Sequence, residues 1–393
     1  MSRIVIRNIG PLKNVEIDLK KINVFIGPQS SGKSTLVKII CFCKWVEKRA
    51  LTTMKDEFLV NRHDLIENQL LTFHRLQEVY FSESSFFSYI NKDVSVIYKD
   101  GKLEIERLSD LTEYSAERKL IYIPAERNIV SALPDVTRYS DQSDNFLNFI
   151  HDWSTIKRSY PETAGLNILN LGVKFHYDKE RDRDTVTLGN GKELSLQNTS
   201  SGLQAAIPLV LLLDFLSIKQ FGRRRVFSFD QTLIIDQALK ERGLDILDSP
   251  DKKADAVKFM NSREYHFTQF FIEEPEQNLF PSTQRELIQH IVKACYADER
   301  AHELFLTTHS PYVLFTINNC ILASKLDPKT PELTAVDAMK APVKADEVGL
   351  WSIKDGELEN LQDEDGLVQN NYFDDSMKAI TDDLNDMLDF FED

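Results

Sequence analysis

The stretch that most constrains this chain is Gly27-Pro28-Gln29-Ser30-Ser31-Gly32-Lys33-Ser34-Thr35. Two glycines with four residues between them, followed by Lys-Ser, form the pattern of a phosphate-binding loop. The spacing has a physical reason. Such a loop must curl until successive backbone N–H groups point inward at phosphate oxygens, and glycine lets the chain turn tightly and lie close to the ligand. Lys33 supplies a point charge for the β- and γ-phosphates, and the Ser34 hydroxyl is placed to ligate Mg2+. The flanks agree. Residues 22–26 (INVFI) read as a buried strand running into the loop, and residues 34–40 as a helix whose N-terminus faces the phosphates. The loop assigns a nucleotide and an α/β fold. The machine it serves must be read from the rest of the chain.

At 393 residues the chain can bury a large core, as one large domain or two to three smaller ones. Hydrophobic content of 42% and charged content of 28% are those of a globular protein. No apolar run approaches the roughly 18–20 residues that a membrane span needs. The first residues, MSRIVI, read as a strand and not as a signal peptide, so a cytoplasmic protein without a membrane partner is expected. Cys41 and Cys43 form a lone C-x-C on the first helix, and with Cys295 and Cys320 they make no metal pattern; packing is the expected role. The net charge of −15 argues against wrapping nucleic acid over the whole surface, so DNA is possible but not indicated by charge. Arg223-Arg224-Arg225 is the densest basic cluster, read as a solvated loop before a nucleic-acid contact.

In chain order, residues 1–43 form an N-terminal lobe with two strands, 4–9 and 15–19, joined by a turn at 10–14. Residues 44–91 read as a helical insertion with its own aromatic core (Phe73, Tyr80, Phe81, Phe86, Phe87 and Tyr89). In 92–137, Asp100-Gly101 between two apolar runs predicts a hairpin, and the strand 120–123 ends in Pro124-Ala125-Glu126-Arg127. Residues 138–196 read as a mixed helical and β insertion. Residues 197–220 open on Asn198-Thr199-Ser200-Ser201-Gly202, a second helix N-terminus suited to phosphate, with Pro208 tolerated in the first turns of its helix. A charged insertion, 221–265, precedes two buried strands within 266–330. One ends in Glu273-Glu274-Pro275-Glu276 and the other in His309-Ser310-Pro311. Polar residues at strand ends lie on the ligand side of an α/β sheet. Residues 331–393 give two further strands and an acidic amphipathic helix.

This ordered set resembles the ABC-type ATPase heads, in the branch that holds SMC, RecF-like and OLD-family (overcoming lysogenisation defect) AAA-family ATPases. The matching wording is Ile9-Gly10-Pro11-Leu12, the phosphate loop as Walker A, Ser200-Ser201-Gly202-Leu203-Gln204 as signature, Phe271-Ile272-Glu273-Glu274-Pro275-Glu276 as Walker B, and Thr308-His309-Ser310-Pro311 as switch. It covers residues 1–43 and 197–322. The resemblance implies a P-loop NTPase of ABC-ATPase type, with a mixed central sheet, an antiparallel β layer and helical insertions. It implies an ATPase using ATP and Mg2+. Glu273 would hold the Mg2+ shell with Ser34, Glu274 would polarise the attacking water, and His309 would meet the γ-phosphate alongside Lys33. Ser201 and Gly202 would reach the ATP of a second copy, giving a head-to-tail dimer with two ATP molecules between the copies. Lys13 and Asn14 are further candidate nucleotide contacts. The glutamine usual before the signature region is not evident; Arg127 for phosphate and Glu126 for Mg2+ stand at about that place, beside the alternative of a structural salt bridge.

What the head commands follows by exclusion and analogy. No heptads are sustained, so long coiled-coil arms of the SMC kind are not expected. About 80 residues follow His309, short of a typical domain, so a Toprim nuclease of the OLD kind is not expected either. Such stand-alone heads resemble the ATPase of a bacterial two-part antiviral defence system, in which a separate effector protein does the damage. The alternative is a DNA-binding repair clamp. In the C-terminal helix, Phe373, Met377, Ile380, Leu384, Met387, Leu388 and Phe391 make one apolar stripe among many Asp residues. That stripe suits either packing on its own head or docking a partner or twin subunit.

Overall fold

The computed structural model describes residues 2–52, 65–109, 118–132, 144–221, 265–333, 335–368 and 372–388. The architecture is one large mixed sheet with helices on both faces and a small second sheet at its side.

Among the described residues the large sheet has eleven strands. In chain order they are β1 (Ser2–Ile9), β2 (Leu12–Leu19), β3 (Ile22–Ile26), β4 (Phe86–Ile90), β5 (Val94–Lys99), β6 (Lys102–Arg107), β7 (Arg118–Ile123), β12 (Phe267–Glu273), β13 (Glu303–Thr308), β14 (Val348–Lys354) and β15 (Glu357–Asn360). The spatial order is β6-β5-β4-β1-β2-β15-β14-β3-β13-β12-β7. The run β14-β3-β13-β12-β7 is parallel, and β6-β5-β4-β1-β2 is antiparallel. Composition follows the pairing. β3 is buried at every position and β13 at all but its first, as parallel strands covered on both faces must be. β2 alternates, burying Leu12, Val15, Ile17 and Leu19. The edge strand β6 (KLEIER) turns charges outward, which discourages pairing with another sheet.

Helix α1 (Lys33–Thr52) covers one face. Alternate residues of the parallel strands, Phe25, Tyr122, Phe271 and Phe305, join its core, and Phe271 stacks on Phe305 with ring centroids 4.7 Å apart. Cys41 and Cys43 are buried in the same core. The opposite face carries α2 (Asn145–Ile156), α3 (Ser201–Asp214), α4 (Pro281–Cys295) and α5 (Pro311–Ser324), packed on Val24, Ile123, Phe270, Ile272, Leu304 and Leu306. The second sheet, β11-β10-β9-β8, is built from β8 (Leu166–Asn167), β9 (Lys174–Asp178), β10 (Arg183–Thr187) and β11 (Glu193–Ser195). A last helix, α6, spans Tyr372–Leu388.

This is the mixed α/β, P-loop NTPase-like fold that the sequence predicts. Several local readings change. The reading of 44–91 as a helical insertion changes at its described ends: α1 continues to Thr52, and Phe86–Ile90 is strand β4, paired with β1, with Phe87 and Tyr89 in the main core, while Leu65–Thr72 is helical. The two C-terminal strands are not an appendage, because β14 and β15 lie in the middle of the sheet between β3 and β2. Residues 201–219 are long and apolar enough to cross a membrane, but they are mostly buried here as α3 and the turn after it. Pro208 is the eighth residue of α3, past the first turn, and so removes a helical N–H from the Gln204 carbonyl. The Arg223–Arg225 cluster and most of the charged insertion fall outside the described residues.

Candidate functional site

The parallel strands deliver their C-terminal ends to one edge of the sheet, and every strong candidate residue arrives there. β3 runs into the phosphate loop, whose glycines are required by contact. Gly27 has φ +152°, and a Cβ on it would lie 2.4 Å from the Ile353 carbonyl oxygen of β14. Gly32 has φ +102°, and its Cβ would lie 2.6 Å from Leu12 Cδ2. The loop is thus wedged between β14 and the β1–β2 turn.

Lys33 opens α1, and its Nζ donates to the carbonyls of Gly27 at 2.9 Å and Pro28 at 2.7 Å. The ammonium is buried and spans the loop's own mouth. Burial lowers its pKa to about 8, while the carboxylates of Glu274 and Glu276 pull it back up. Lys13 and Asn14 sit next to Leu12, at the flank of this loop. Their main-chain N–H groups both donate to Gly356, and their side chains are exposed.

β12 ends at Glu273, a buried carboxylate held by the Tyr122 hydroxyl at 2.7 Å. Burial first, then this carboxylate, raises the pKa of Tyr122 well above its usual value, so the phenol stays a donor. The next residue, Glu274, has φ +42°, a conformation that costs a side-chain-bearing residue energy and marks a constrained turn. Its N–H still bonds the Thr307 carbonyl of β13 at 2.9 Å. Its Oε1 lies 3.3 Å from His309 Nε2. Burial and the nearby Lys33 charge lower the His309 pKa, against the opposing pull of Glu274 and of the Gly27 carbonyl. Lys33, Glu274 and His309 therefore form one electrostatic group around the loop.

Glu276 completes this group and carried no role in the sequence reading. Its Oε1 accepts from the Thr308 hydroxyl at 2.8 Å and from the His309 N–H at 2.7 Å. Burial raises its pKa, partly offset by those donors. The signal was present in the Glu-Glu-Pro-Glu wording, but sequence cannot show which of three acids turns inward.

Arg127 is corrected. It does not present its guanidinium to a phosphate: it is 0% exposed, and its N–H groups go to main-chain carbonyls. Nε donates to Ala205, Nη1 to Pro124 and Glu273, and Nη2 to Glu274 and Pro275, all within 3.3 Å. The structural alternative also changes, since the partners are carbonyls and not a carboxylate.

Ser201 and Gly202 open α3, with Ser200 as N-cap accepting from the Leu203 N–H. Ser201 is exposed. Gly202 lies against the turn after Glu274, where an added Cβ would sit 2.8 Å from the Asn278 carbonyl oxygen.

A hydroxyl and a carboxylate are the kind of hard oxygen ligands Mg2+ takes when phosphates and waters supply the rest. Ser34, in the first turn of α1, and Glu273 fit that pattern. Among the described residues no cluster of three or more His, Cys, Asp or Glu could hold a metal unaided.

Residues 3–150 match the family model of the AAA domain. This stretch is similar to an AAA domain. It holds the phosphate loop, α1 and Arg127, whereas Glu273, Glu274 and His309 stand beyond it on strands paired to its sheet. Remote structural likenesses run over nearly the whole chain. The SMC head domain from Thermotoga maritima is 12% identical, covering 91% of this chain and 97% of that one, with a TM-score of 0.37. A Smc head with an extended coiled coil, bound to the C-terminal domain of ScpA from Pyrococcus furiosus, is 11% identical over 97% and 99%, with a TM-score of 0.37. An ATP-binding cassette of an ABC transporter in its ADP conformation is 10% identical over 91% and 90%, with a TM-score of 0.31. No curated protein sequence matches the chain.

Proposed function

We propose that the chain is an ATP-hydrolysing switch that works as a dimer. The observation that carries this is the convergence of Lys33, Glu274 and His309, from three separate segments, on one phosphate loop, with Glu274 Oε1 3.3 Å from His309 Nε2. Loop N–H groups and Lys33 would hold the β- and γ-phosphates, Lys33 leaving its own carbonyls to do so. Ser34 and Glu273 would hold Mg2+, which supplies charge neutralisation on the phosphates. Glu274 would orient a water and draw its proton as the water oxygen bonds to the γ-phosphorus and the bond to the β-phosphate oxygen breaks, leaving ADP and phosphate. His309 would stabilise the charge gathering on the transferred group.

Ser201, exposed at the start of α3, and Gly202 beside it would meet the ATP of a second copy, as the family resemblance implies, in a head-to-tail pair with two ATP molecules. Closure with ATP and release after hydrolysis would be passed to a separate effector protein, as the resemblance to two-part defence ATPases implies.

Phosphate release by wild type and two variants tests the chemistry. Glu274→Gln should bind ATP and lose roughly 100-fold or more in turnover; Lys33→Ala should lose ATP binding. Wild-type turnover by Glu274→Gln contradicts the assignment.

A further inference from the structure

Arg127 is a fully buried arginine, and its bonds show what it holds. The guanidinium has five N–H groups. They meet five main-chain carbonyls from three places: Pro124 after β7, Glu273, Glu274 and Pro275 of the catalytic turn, and Ala205 of α3. Burial lowers its pKa to about 10, so it stays charged at neutral pH, supported by the carboxylates of Glu276, Glu274 and Glu273. An apolar side chain of similar volume would fill the space without the desolvation cost. What it would not do is satisfy three consecutive carbonyls that the chain turns away from the sheet as it passes through φ +42° at Glu274.

A second contact joins the same two elements. Gly202, at the start of α3, touches the Asn278 carbonyl so closely that a methyl group does not fit. The turn is also fixed to the switch histidine, through Glu276 Oε1 and the His309 N–H. The catalytic turn therefore has α3 on one side and His309 on the other.

We infer that Arg127 is a positioning residue that makes the catalytic turn and the signature helix α3 move as one body, so that the nucleotide state at Glu274 and His309 sets how Ser201 and Gly202 meet the second copy. This rests on the dimeric ATPase reading above and assigns that site its internal coupling. Arg127 touches no substrate; it acts through the carbonyls of Glu273, Glu274 and Pro275 and through α3.

Arg127→Lys tests it in the full chain. Lysine keeps the charge but cannot fork across five carbonyls. ATP affinity, read by fluorescent-nucleotide titration, should stay within about threefold, because the phosphate loop is untouched, while kcat falls on the order of 100-fold through misplacement of Glu274. In the Glu274→Gln background, Arg127→Lys should also abolish ATP-induced dimerisation. A merely structural plug would move neither the split between affinity and kcat nor the dimer.

Turnover by Arg127→Lys within twofold of wild type overturns the inference, as does an undiminished dimer in the double variant. If Arg127→Lys fails to fold, Arg127→Gln, which keeps amide donors but loses the fork, should give the same split; wild-type turnover by Arg127→Gln overturns it equally. Absence of turnover in the wild type instead removes the ATPase reading itself, and the inference with it.

Discussion

On the proposed reading, Lys33 would carry both the affinity of this site for ATP and its pH dependence. Its folded pKa, about 8, lies below the ordinary lysine value of 10.5. The unfolded chain therefore holds this proton more tightly, and the contribution of Lys33 to stability rises as pH climbs from about 8 to about 10.5. ATP needs the opposite state. Phosphate requires the ammonium, so ATP affinity should be flat below pH 8 and fall toward tenfold per unit above it, with proton uptake on binding. Titration with a fluorescent ATP analogue from pH 7 to 9.5 reads this, and a flat profile contradicts it.

Glu276 makes a second prediction at this scale. Glu276→Ala strands the His309 N–H and the Thr308 hydroxyl, at about 1–3 kcal/mol for each buried group left unpaired. Glu276→Gln keeps an acceptor oxygen and should lose much less. Equal losses in urea unfolding would show that the acceptor is not what matters. Glu276 and Arg127 are also where the sequence was least legible at this scale. Adjacency names an acid or an arginine but does not say which atoms face inward, and the roles of both are set by carbonyls and N–H groups brought from distant segments.

Among the elements, the strand–loop–helix unit β3–loop–α1 was legible because its evidence is local: an apolar run, glycines at fixed spacing and a helical period. Gly32 illustrates how tightly the unit is built. With φ +102° and Leu12 Cδ2 in the place of a side chain, Gly32→Ala should cost at least about 1 kcal/mol of stability and disable the loop. Unchanged urea midpoint and unchanged ATP binding would contradict this. Strand β4 was misread because its aromatic residues, Phe86, Phe87 and Tyr89, follow a charged stretch of helical period, and what makes it a strand is pairing with β1, more than seventy-five residues earlier. β14 and β15 were recognised as strands, but their place beside β3 depends on partners at the other end of the chain. Strand order is a long-range property that no local pattern encodes.

Two cores lie on opposite faces of one sheet, and most of the described side chains of α6 lie outside both. Its first turn engages the head, where Phe373 packs against the core. Met377 and Ile380 are 63% and 64% exposed, and Leu384, Met387 and Leu388 are exposed as well. Of the two roles open to this stripe, packing on its own head is therefore not made by Met377, Ile380, Leu384, Met387 or Leu388. Replacing Met377, Ile380, Leu384, Met387 and Leu388 by Ser should leave Tm within about 2 °C, since these side chains are already exposed; a large drop in thermal unfolding would show that α6 supports the head.

The central claim is that the loop at Gly27–Thr35 is half of a site whose other half, Ser201 and Gly202, comes from a second copy. The most direct measurement is the mass of Glu274→Gln in solution by light scattering, with ATP and with ADP. With ATP and Mg2+ it should be twice the 45.3 kDa of one chain, with ADP it should be that of one chain, and Ser201→Arg in the same background should abolish the difference. A mass that is the same with ATP as with ADP would contradict the account.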